Sequence, residues 1–193
     1  MVLTEKIKEL RERMGASIAE CKKALEKSSG DLEKAIVILE KALGGMAAKK
    51  SSRELHAGVI DSYLHGGKIG VLVEVYSETD FVARNPEFKM LVHDIAIHIA
   101  ASAPLYLDTT SVPEEVMAAE RVRFEEEVVA LGKSPELAKT IVEGKLKTHF
   151  EALCLMTQVF VKNPDKMVGD VVNEAVGKFG ENIKVGRFVR FEL

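Results

Sequence analysis

A chain of 193 residues with a hydrophobic fraction of 47% can form one medium-sized domain or two small ones around a buried core. Charged residues make up 30% of the sequence but leave a net charge of only −3, so no overall basic field favours direct binding to nucleic acid. The two cysteines, Cys21 and Cys154, are too far apart in sequence to suggest a disulfide framework or a zinc site, and no apolar run reaches the ~18 residues of a membrane span.

The N-terminal region shows the pattern of short helices joined by tight turns. Apolar residues recur at three- and four-residue steps over residues 4–14 and predict a first helix. We expect this helix to end at Gly15, because glycine suits the left-handed conformation at a helix end. Ser17 and Glu20 then form the pattern of a capping box, which predicts that a second helix begins almost at once.

A third helix completes the predicted bundle. Asp31 is suited to cap this helix, and the pair Gly44 and Gly45 is expected to end it. The polar, basic segment that follows is typical of a linker or an exposed connecting helix. We therefore place a domain boundary near residue 50, with a three-helix domain and linker over residues 1–50 and a core domain over residues 51–193.

The second region begins with the pattern of a β-hairpin. Residues 56–64 and 69–76 have the composition of strands and flank Gly66 and Gly67, which are suited to a turn. The C-terminal tail carries spaced apolar residues over 183–191, which could join the hairpin as a third strand. Because helices are predicted between these strands, the sequence indicates an α+β fold with helices packed on a small antiparallel sheet.

Four helix signals lie between the hairpin and the tail. The strongest is Asn85 followed by Pro86, because asparagine caps helices well and proline is favoured at the first helical position. Apolar residues would line one side of the helix that this pair begins. Further helices are indicated by Ser111 with Pro113, by Ser134 with Pro135, and by the periodic residues 168–179.

An aromatic and an acidic residue stand together in the connector between the hairpin and the next helix. This stretch, residues 77–84 with the sequence S-E-T-D-F-V-A-R, is predicted to be irregular. One interpretation is that Phe81 turns inward and fills a corner of the sheet. The helix does not need Phe81 as a hydrophobic staple, since the staple positions hold Arg84 and Lys89. The alternative is that Phe81 and Asp80 form an exposed contact tip.

The sequence lacks the motifs of common catalytic and nucleotide-binding sites. It contains no G-x-x-x-x-G-K-[ST] loop and no G-x-G-x-x-G after a strand, so we expect no bound nucleotide. Asp94 and His98, one helical turn apart, supply only two metal ligands and are more typical of the edge of a half-buried helix. We expect no enzymatic activity, metal or cofactor. A metal-dependent hydrolase built on these two residues stands as a competing hypothesis.

The sequence also predicts where the protein acts. The N-terminus has neither the apolar core of a signal peptide nor the Arg- and Ser-rich, acid-poor composition of a transit segment. We therefore expect a cytoplasmic protein that does not bind membranes.

Three segments carry a resemblance to a known family. Residues 74–84, E-V-Y-S-E-T-D-F-V-A-R, resemble the signature around a T-D-F-V loop in the elongation factor Ts family. Residues 10–25, L-R-E-R-M-G-A-S-I-A-E-C-K-K-A-L, are similar to a second signature of that family, and so is the tail from Gly180 to Leu193. The resemblance runs nearly end to end, and the length suggests a short form with one core subdomain.

The resemblance implies a guanine-nucleotide exchange factor that serves protein biosynthesis during translation elongation. Such a protein binds elongation factor Tu in its GDP-bound and nucleotide-free states, disturbs the Mg²⁺ and phosphate site, and promotes GDP release. The resemblance also implies that the N-terminal helices are like a ubiquitin-associated (UBA) domain. They would dock on the nucleotide-binding domain of the partner through Arg11, Ile18, Ala19 and Lys22. The loop beside the Mg²⁺ site would carry Thr79, Asp80, Phe81 and Val82.

Three positions depart from the family pattern. Met14 stands where threonine is usual, Tyr76 stands where asparagine is usual, and Val159 lies where a Gln-Pro-Phe segment is common. Because longer relatives have two core subdomains, we expect two copies of this short form to pair and to make a two-to-two complex. A competing hypothesis is a UBA-like protein-binding module joined to an unrelated α+β domain.

Overall fold

The computed structural model describes residues 3–14, 16–129 and 134–193, with the backbone but not the side chain of Met46. The N-terminal helices, called the head here, are α1 (Leu3–Met14), α2 (Ile18–Lys27) and α3 (Leu32–Lys50). The remainder, called the body, contains β1 (Ala57–His65), β2 (Ile69–Ser77), α4 (Asp80–Arg84), α5 (Pro86–Ser102), α6 (Glu114–Val129), α7 (Pro135–Leu153), α8 (Val168–Phe179) and β3 (Ile183–Glu192). The α+β class is confirmed. The expected helix end at Gly15 lies outside the described residues.

The head has its own apolar core. The predicted capping box is present, because the backbone N–H of Glu20 donates to Ser17 Oγ at 3.3 Å while the N–H of Ser17 donates to Glu20 Oε2 at 2.9 Å. These two bonds satisfy donors that a helix start leaves free and fix the entry into α2. The buried residues of the three helices form one cluster, which includes Leu10, Leu25 and Leu39.

The third helix is longer than predicted. It continues through Gly44 and Gly45 to Lys50, so the expected end at this pair is wrong. A glycine in a helix interior costs about 1 kcal/mol relative to alanine, a penalty that tertiary packing can offset. Here Leu43 lies directly against Gly177 of α8, where an added Cβ atom would collide with the leucine side chain. Helix α3 therefore runs along α8 and joins the head to the body.

The three strands form one antiparallel sheet in the order β1-β2-β3, as the hairpin and the tail predict. Val71, Val73 and Val75 of β2 are buried on one face of this sheet, and α5 packs on the same side. The pairing of β2 with β3 shifts between Val73 and Val75, which marks a β-bulge. The alternation of buried and exposed residues along β2 follows from the two-residue period of a strand.

Helix α5 begins as the sequence predicts and forms the centre of the body core. Asn85 Oδ1 accepts a hydrogen bond from the backbone N–H of Glu87 at 2.8 Å, and Pro86 occupies the first helical position. Phe88 is fully buried and meets Phe179 of α8 edge to face, with ring centroids 5.9 Å apart. Helices α5 and α8 therefore form one layer behind the sheet.

Helices α6 and α7 pack against each other as a helical hairpin. Their buried residues, among them Phe124, Leu146 and Phe150, form a cluster separate from the body core. Ser134 stands at the N-cap of α7 and Pro135 at its first position, as predicted, but the Ser134 side chain makes no capping hydrogen bond. Ser111 closes a short 3-10 turn before α6. Among the described helices, none is both long enough and apolar enough to cross a membrane.

Candidate partner-binding surfaces

The connector between β2 and α5 is a short helix and not the irregular loop that we expected. Helix α4 has five residues, and Thr79 caps its start by accepting a hydrogen bond from the backbone N–H of Val82 at 3.5 Å. Asn85 ends α4 and also caps α5. A threonine cap followed by an acidic residue in the first turn is a local signal for such a start.

Phe81 projects from this short helix into the solvent. Its exposed fraction is 83%, whereas Val82 and Ala83 are 4% and 5% exposed and anchor the helix to the body. The interpretation that Phe81 fills a corner of the sheet is therefore wrong. A shallow groove runs beside Phe81, with Asp80 and Pro86 in its wall. We call α4 together with its cap residue, from Thr79 to Arg84, the tip.

The charges at the tip largely balance each other. Asp80 forms an ion pair with Arg84 one turn later, and the side chains are 69% and 79% exposed. Exposed pairs of this kind contribute at most about 1 kcal/mol to stability, because water and salt screen them. The Asp80 carboxylate therefore remains available for polar contacts with a partner, and its removal should cost the fold little.

The tip is attached to a distant part of the chain. The backbone N–H of Thr79 donates to Glu181 Oε2 at 3.0 Å, and Thr79 Oγ1 donates to Glu181 Oε1 at 2.6 Å. Just before the tip, Glu78 Oε1 accepts from the backbone N–H of Asn182 at 2.5 Å and from Arg53 Nη1 at 3.3 Å. The N–H of Asn182, helped by the Arg53 guanidinium, lowers the pKa of Glu78 below its usual value.

Local sequence patterns did not identify Glu181 and Asn182 as supports of the tip. Both residues occur in the tail segment that carries the family resemblance, but they lie about one hundred positions from their hydrogen-bond partners. Capping and periodicity describe neighbours within a few residues, so they contain no information about such pairs. The single available signal was a polar pair placed directly after the glycine that ends α8.

The second predicted surface lies on the head. Ile18, Ala19 and Lys22 are exposed on α2, and Ile18 has an exposed fraction of 59%. Arg11 is exposed on α1, near enough to α2 for its charge to act on the buried thiol of Cys21. Burial is the main cause that raises the pKa of this thiol, and the Arg11 guanidinium opposes it. The head therefore exposes an apolar residue and basic side chains on α1 and α2.

Asp94 and His98 do not come together as metal ligands. His98 is fully buried, its Nε2 atom lies 3.0 Å from Gln158 Oε1, and its Nδ1 atom accepts from the N–H of Val161 at 3.2 Å. Asp94 instead pairs with Lys162 at 2.6 Å. Burial lowers the pKa of His98, which favours a neutral imidazole within this network. The residues with described positions contain no group of three or more acidic, histidine or cysteine ligands arranged for a metal ion.

The three departures from the family pattern are accommodated locally. Met14 is 5% exposed within the head core, and Val159 lies on the surface with an exposed fraction of 57%. The hydroxyl of Tyr76 donates to Glu74 Oε2 at 2.9 Å on the outer face of the sheet. None of the three replaces a residue of the tip or one of its hydrogen-bond partners.

An exposed aromatic residue on an anchored helix, together with a basic and partly apolar head, defines a protein that acts by binding another protein. Comparison with known sequences identifies the family. The family model described as "Elongation factor TS" matches residues 2–193. One model covers the head and the body together, which argues against a UBA-like module joined to an unrelated domain.

Curated relatives agree with the family model. An elongation factor Ts from Thermodesulfovibrio yellowstonii is 49% identical over 192 residues, which cover 100% of this chain and 96% of the relative. Another from Thermosipho melanesiensis is 49% identical over 194 residues and is covered to 99%. A third, from Carboxydothermus hydrogenoformans, is 47% identical and is covered to 89%. The chain belongs to the elongation factor Ts family, and its role is in protein biosynthesis, in translation elongation.

Proposed function

We propose that this protein is a guanine-nucleotide exchange factor for elongation factor Tu. The observation that carries the proposal is the 83% exposure of Phe81 on a helix whose neighbouring residues are buried and hydrogen-bonded. A large aromatic side chain held out from a rigid support is typical of a residue that inserts into a partner. The family resemblance implies that this residue would insert beside the Mg²⁺ and phosphate site of the GDP-bound partner.

The proposed mechanism is thermodynamic linkage. If the exchange factor and GDP with Mg²⁺ favour different arrangements of the same nucleotide-binding domain, each weakens the binding of the other by the same factor. Insertion of Phe81 and approach of the Asp80 carboxylate would stabilise the arrangement in which Mg²⁺ is poorly coordinated. The factor makes and breaks no covalent bond in this cycle. Rebinding of GTP then releases it.

The magnitude of the Phe81 contact indicates that the tip works together with other contacts. Full burial of a phenylalanine side chain stabilises a complex by about 1.5–3 kcal/mol, and every ~1.4 kcal/mol changes an affinity tenfold. One aromatic contact can therefore weaken GDP binding by one or two orders of magnitude. The remaining coupling must come from partner elements that the tip displaces and from the loss of Mg²⁺ coordination.

The head supplies docking in this proposal. Ile18 offers an apolar contact on α2, and Arg11 on α1 and Lys22 on α2 are exposed basic residues of these two helices. Such charges act mainly on the association rate and on the orientation of the partners, because water and salt leave exposed ion pairs little net energy in the final complex. Docking by the head brings the tip to the nucleotide site, so the two surfaces have separate tasks.

The outer face of the sheet supports the pairing of two chains. Leu72 is cross-strand neighbour to Val189, and Gly70 lies between Leu64 and Phe191, so these exposed apolar residues share one region of the outer face. Leu64 is 76% exposed and Phe191 is 69% exposed. Soluble monomers rarely leave large contiguous apolar patches in water. A second copy placed face to face would cover this patch symmetrically, as in packed sheets, and would give a two-to-two complex with elongation factor Tu.

The exchange proposal is tested by the release of a fluorescent GDP analogue from elongation factor Tu. We expect the release rate to rise with the concentration of this protein and to saturate when the complex is fully formed. The control is an equal concentration of an unrelated acidic protein. A release rate that stays at its unassisted value over the whole concentration range would contradict the proposal.

A further inference from the structure

We infer that Glu181 is a positioning residue that holds the tip, and with it Phe81, in the orientation needed to reach the partner. This inference rests on the proposed exchange function. Glu181 would contact neither nucleotide nor Mg²⁺, but it would fix the direction in which the Phe81 side chain points.

Glu181 holds Thr79, the first residue of the tip, through both carboxylate oxygens. One oxygen accepts the backbone N–H of Thr79 at 3.0 Å, and the other accepts the hydroxyl at 2.6 Å. The carbonyl oxygen of Thr79 accepts from Ser77 Oγ at 3.1 Å and from the backbone N–H of Ala83 at 3.2 Å. The backbone and the side chain of Thr79 are therefore both fixed, which sets the direction of the short helix that follows.

Glu181 itself stands on rigid structure. It follows Gly180, whose left-handed conformation (φ 73°) ends α8, and one residue, Asn182, separates it from β3. The next residue, Asn182, is 3% exposed, and its side chain donates to the carbonyl oxygens of Arg53 at 2.9 Å and Ser51 at 3.4 Å. The turn formed by Gly180, Glu181 and Asn182 is therefore held at the end of a helix and the start of a strand.

This turn also connects the two partner-binding surfaces. Its Asn182 side chain holds the chain where it leaves α3, the last helix of the head. Its Glu181 side chain holds the start of the tip. Because both contacts belong to neighbouring residues, the turn sets the position of the tip relative to the end of the head. A partner docked on the head would meet Phe81 at a fixed place, without the entropy cost of ordering a mobile loop.

A five-residue helix needs such support. Helix formation is unfavourable for segments this short, and α4 is held to the body mainly by Val82 and Ala83. Both residues lie after Phe81, so the carboxylate of Glu181, next to the hydrogen bonds of Glu78, supplies the anchor on the other side. Without that anchor, Thr79 can hydrogen-bond to water and the tip can sample several directions.

The test compares Glu181→Ala with a matched control, Glu126→Ala, which removes an exposed glutamate from α6. Loss of two hydrogen bonds to a charged acceptor should slow stimulated GDP release about tenfold, while the control should release GDP like the parent protein. Because the tip contact belongs to the nucleotide-free arrangement, affinity for nucleotide-free elongation factor Tu should fall by a similar factor, whereas affinity for the GDP-bound form should change much less. Glu181→Gln, which keeps one acceptor, should lie between the parent and Glu181→Ala.

A double-mutant cycle identifies positioning as the cause. If Glu181 acts through Phe81, the variant with both Phe81→Ala and Glu181→Ala should release GDP as slowly as Phe81→Ala alone. Multiplicative slowing in the double variant would overturn the inference, because it would show that the two residues act independently. Unchanged release by Glu181→Ala would overturn it as well.

A measurement on the protein without its partner separates this inference from the exchange proposal. Hydrogen exchange at the Thr79 amide, followed by NMR, should be faster in Glu181→Ala than in the parent, with the melting temperature nearly unchanged. Unchanged protection of that amide would contradict the positioning role. If the parent protein fails to accelerate GDP release while the Thr79 amide responds as expected, the exchange proposal fails and the anchor remains.

Discussion

Replacement of Phe81 by alanine distinguishes a contact residue from a core residue. Phe81 is 83% exposed, so the fold covers only about a sixth of its side chain. Scaled by the ~1.5–3 kcal/mol gained when a phenylalanine is fully buried, the expected loss of folding stability is about 0.5 kcal/mol or less. Phe88 provides the matched control because it is a fully buried phenylalanine, and Phe88→Ala should cost ~3–5 kcal/mol.

Phe81→Ala should strongly reduce nucleotide exchange although it changes folding stability very little. We expect stimulated GDP release to fall about tenfold, which corresponds to ~1.4 kcal/mol of lost coupling. Denaturant unfolding measures the change in folding stability. Stopped-flow release of a fluorescent GDP analogue measures the change in the rate of stimulated GDP release. The reasoning is refuted if Phe81→Ala is destabilised as strongly as Phe88→Ala. It is also refuted if the variant is stable and releases GDP as fast as the parent.

Three further predictions concern the outer face, the head and the response to acid. Leu72→Lys places a charge in the centre of the exposed apolar face, so it should prevent two chains from pairing. In sedimentation, the parent should be a dimer and the variant a 21.2 kDa single chain. The same species in the parent and in the variant would refute pairing through this face. Removal of residues 1–50 should leave a folded but less stable body, since α8 loses its contact with Leu43. The affinity of this body for elongation factor Tu should be much lower than that of the parent protein. Unchanged affinity would refute docking by the head. Glu74 has its pKa lowered to about 2 by hydrogen bonds from Arg187 and then Tyr76, so it stabilises the fold above its ordinary pKa of 4.5 and loses that contribution as the pH falls toward 2. Glu74→Gln should therefore show a smaller loss of unfolding free energy between pH 5 and about 2.5 than the parent, and equal losses would contradict this origin.

Local patterns in the sequence account for most of the helices and strands. The capping box of Ser17 and Glu20, and the Asn85 cap followed by proline, operate within three residues. Such signals depend on backbone donors that neighbouring side chains must satisfy, so a single sequence contains them. The hairpin and the third strand follow from alternating apolar residues in the same way.

The errors arise where distant parts of the chain decide the structure. Gly44 and Gly45 indicate a helix end locally, but the contact of Leu43 with Gly177 keeps α3 intact to Lys50. The stretch before Asn85 was predicted to be irregular although Thr79 and Asp80 form a local helix-start signal. The anchor of this stretch, Glu181, lies 102 positions from Thr79 and gives no local signal. The sequence allowed the exposure of Phe81 to be proposed, because the helix does not need this residue as a hydrophobic staple. The sequence did not reveal that Glu181 supports the tip. Packing overrides local preference at such positions, and packing is not visible in short sequence windows.

The central claim is that this protein and GDP bind elongation factor Tu with negative coupling. Calorimetry can measure the affinity of this protein for elongation factor Tu, first without nucleotide and then saturated with GDP and Mg²⁺. The affinity of GDP for elongation factor Tu, measured with and without this protein, completes the thermodynamic cycle. Linkage predicts that both affinities fall by the same factor. Equal affinity of this protein for the nucleotide-free and GDP-bound states would contradict the account.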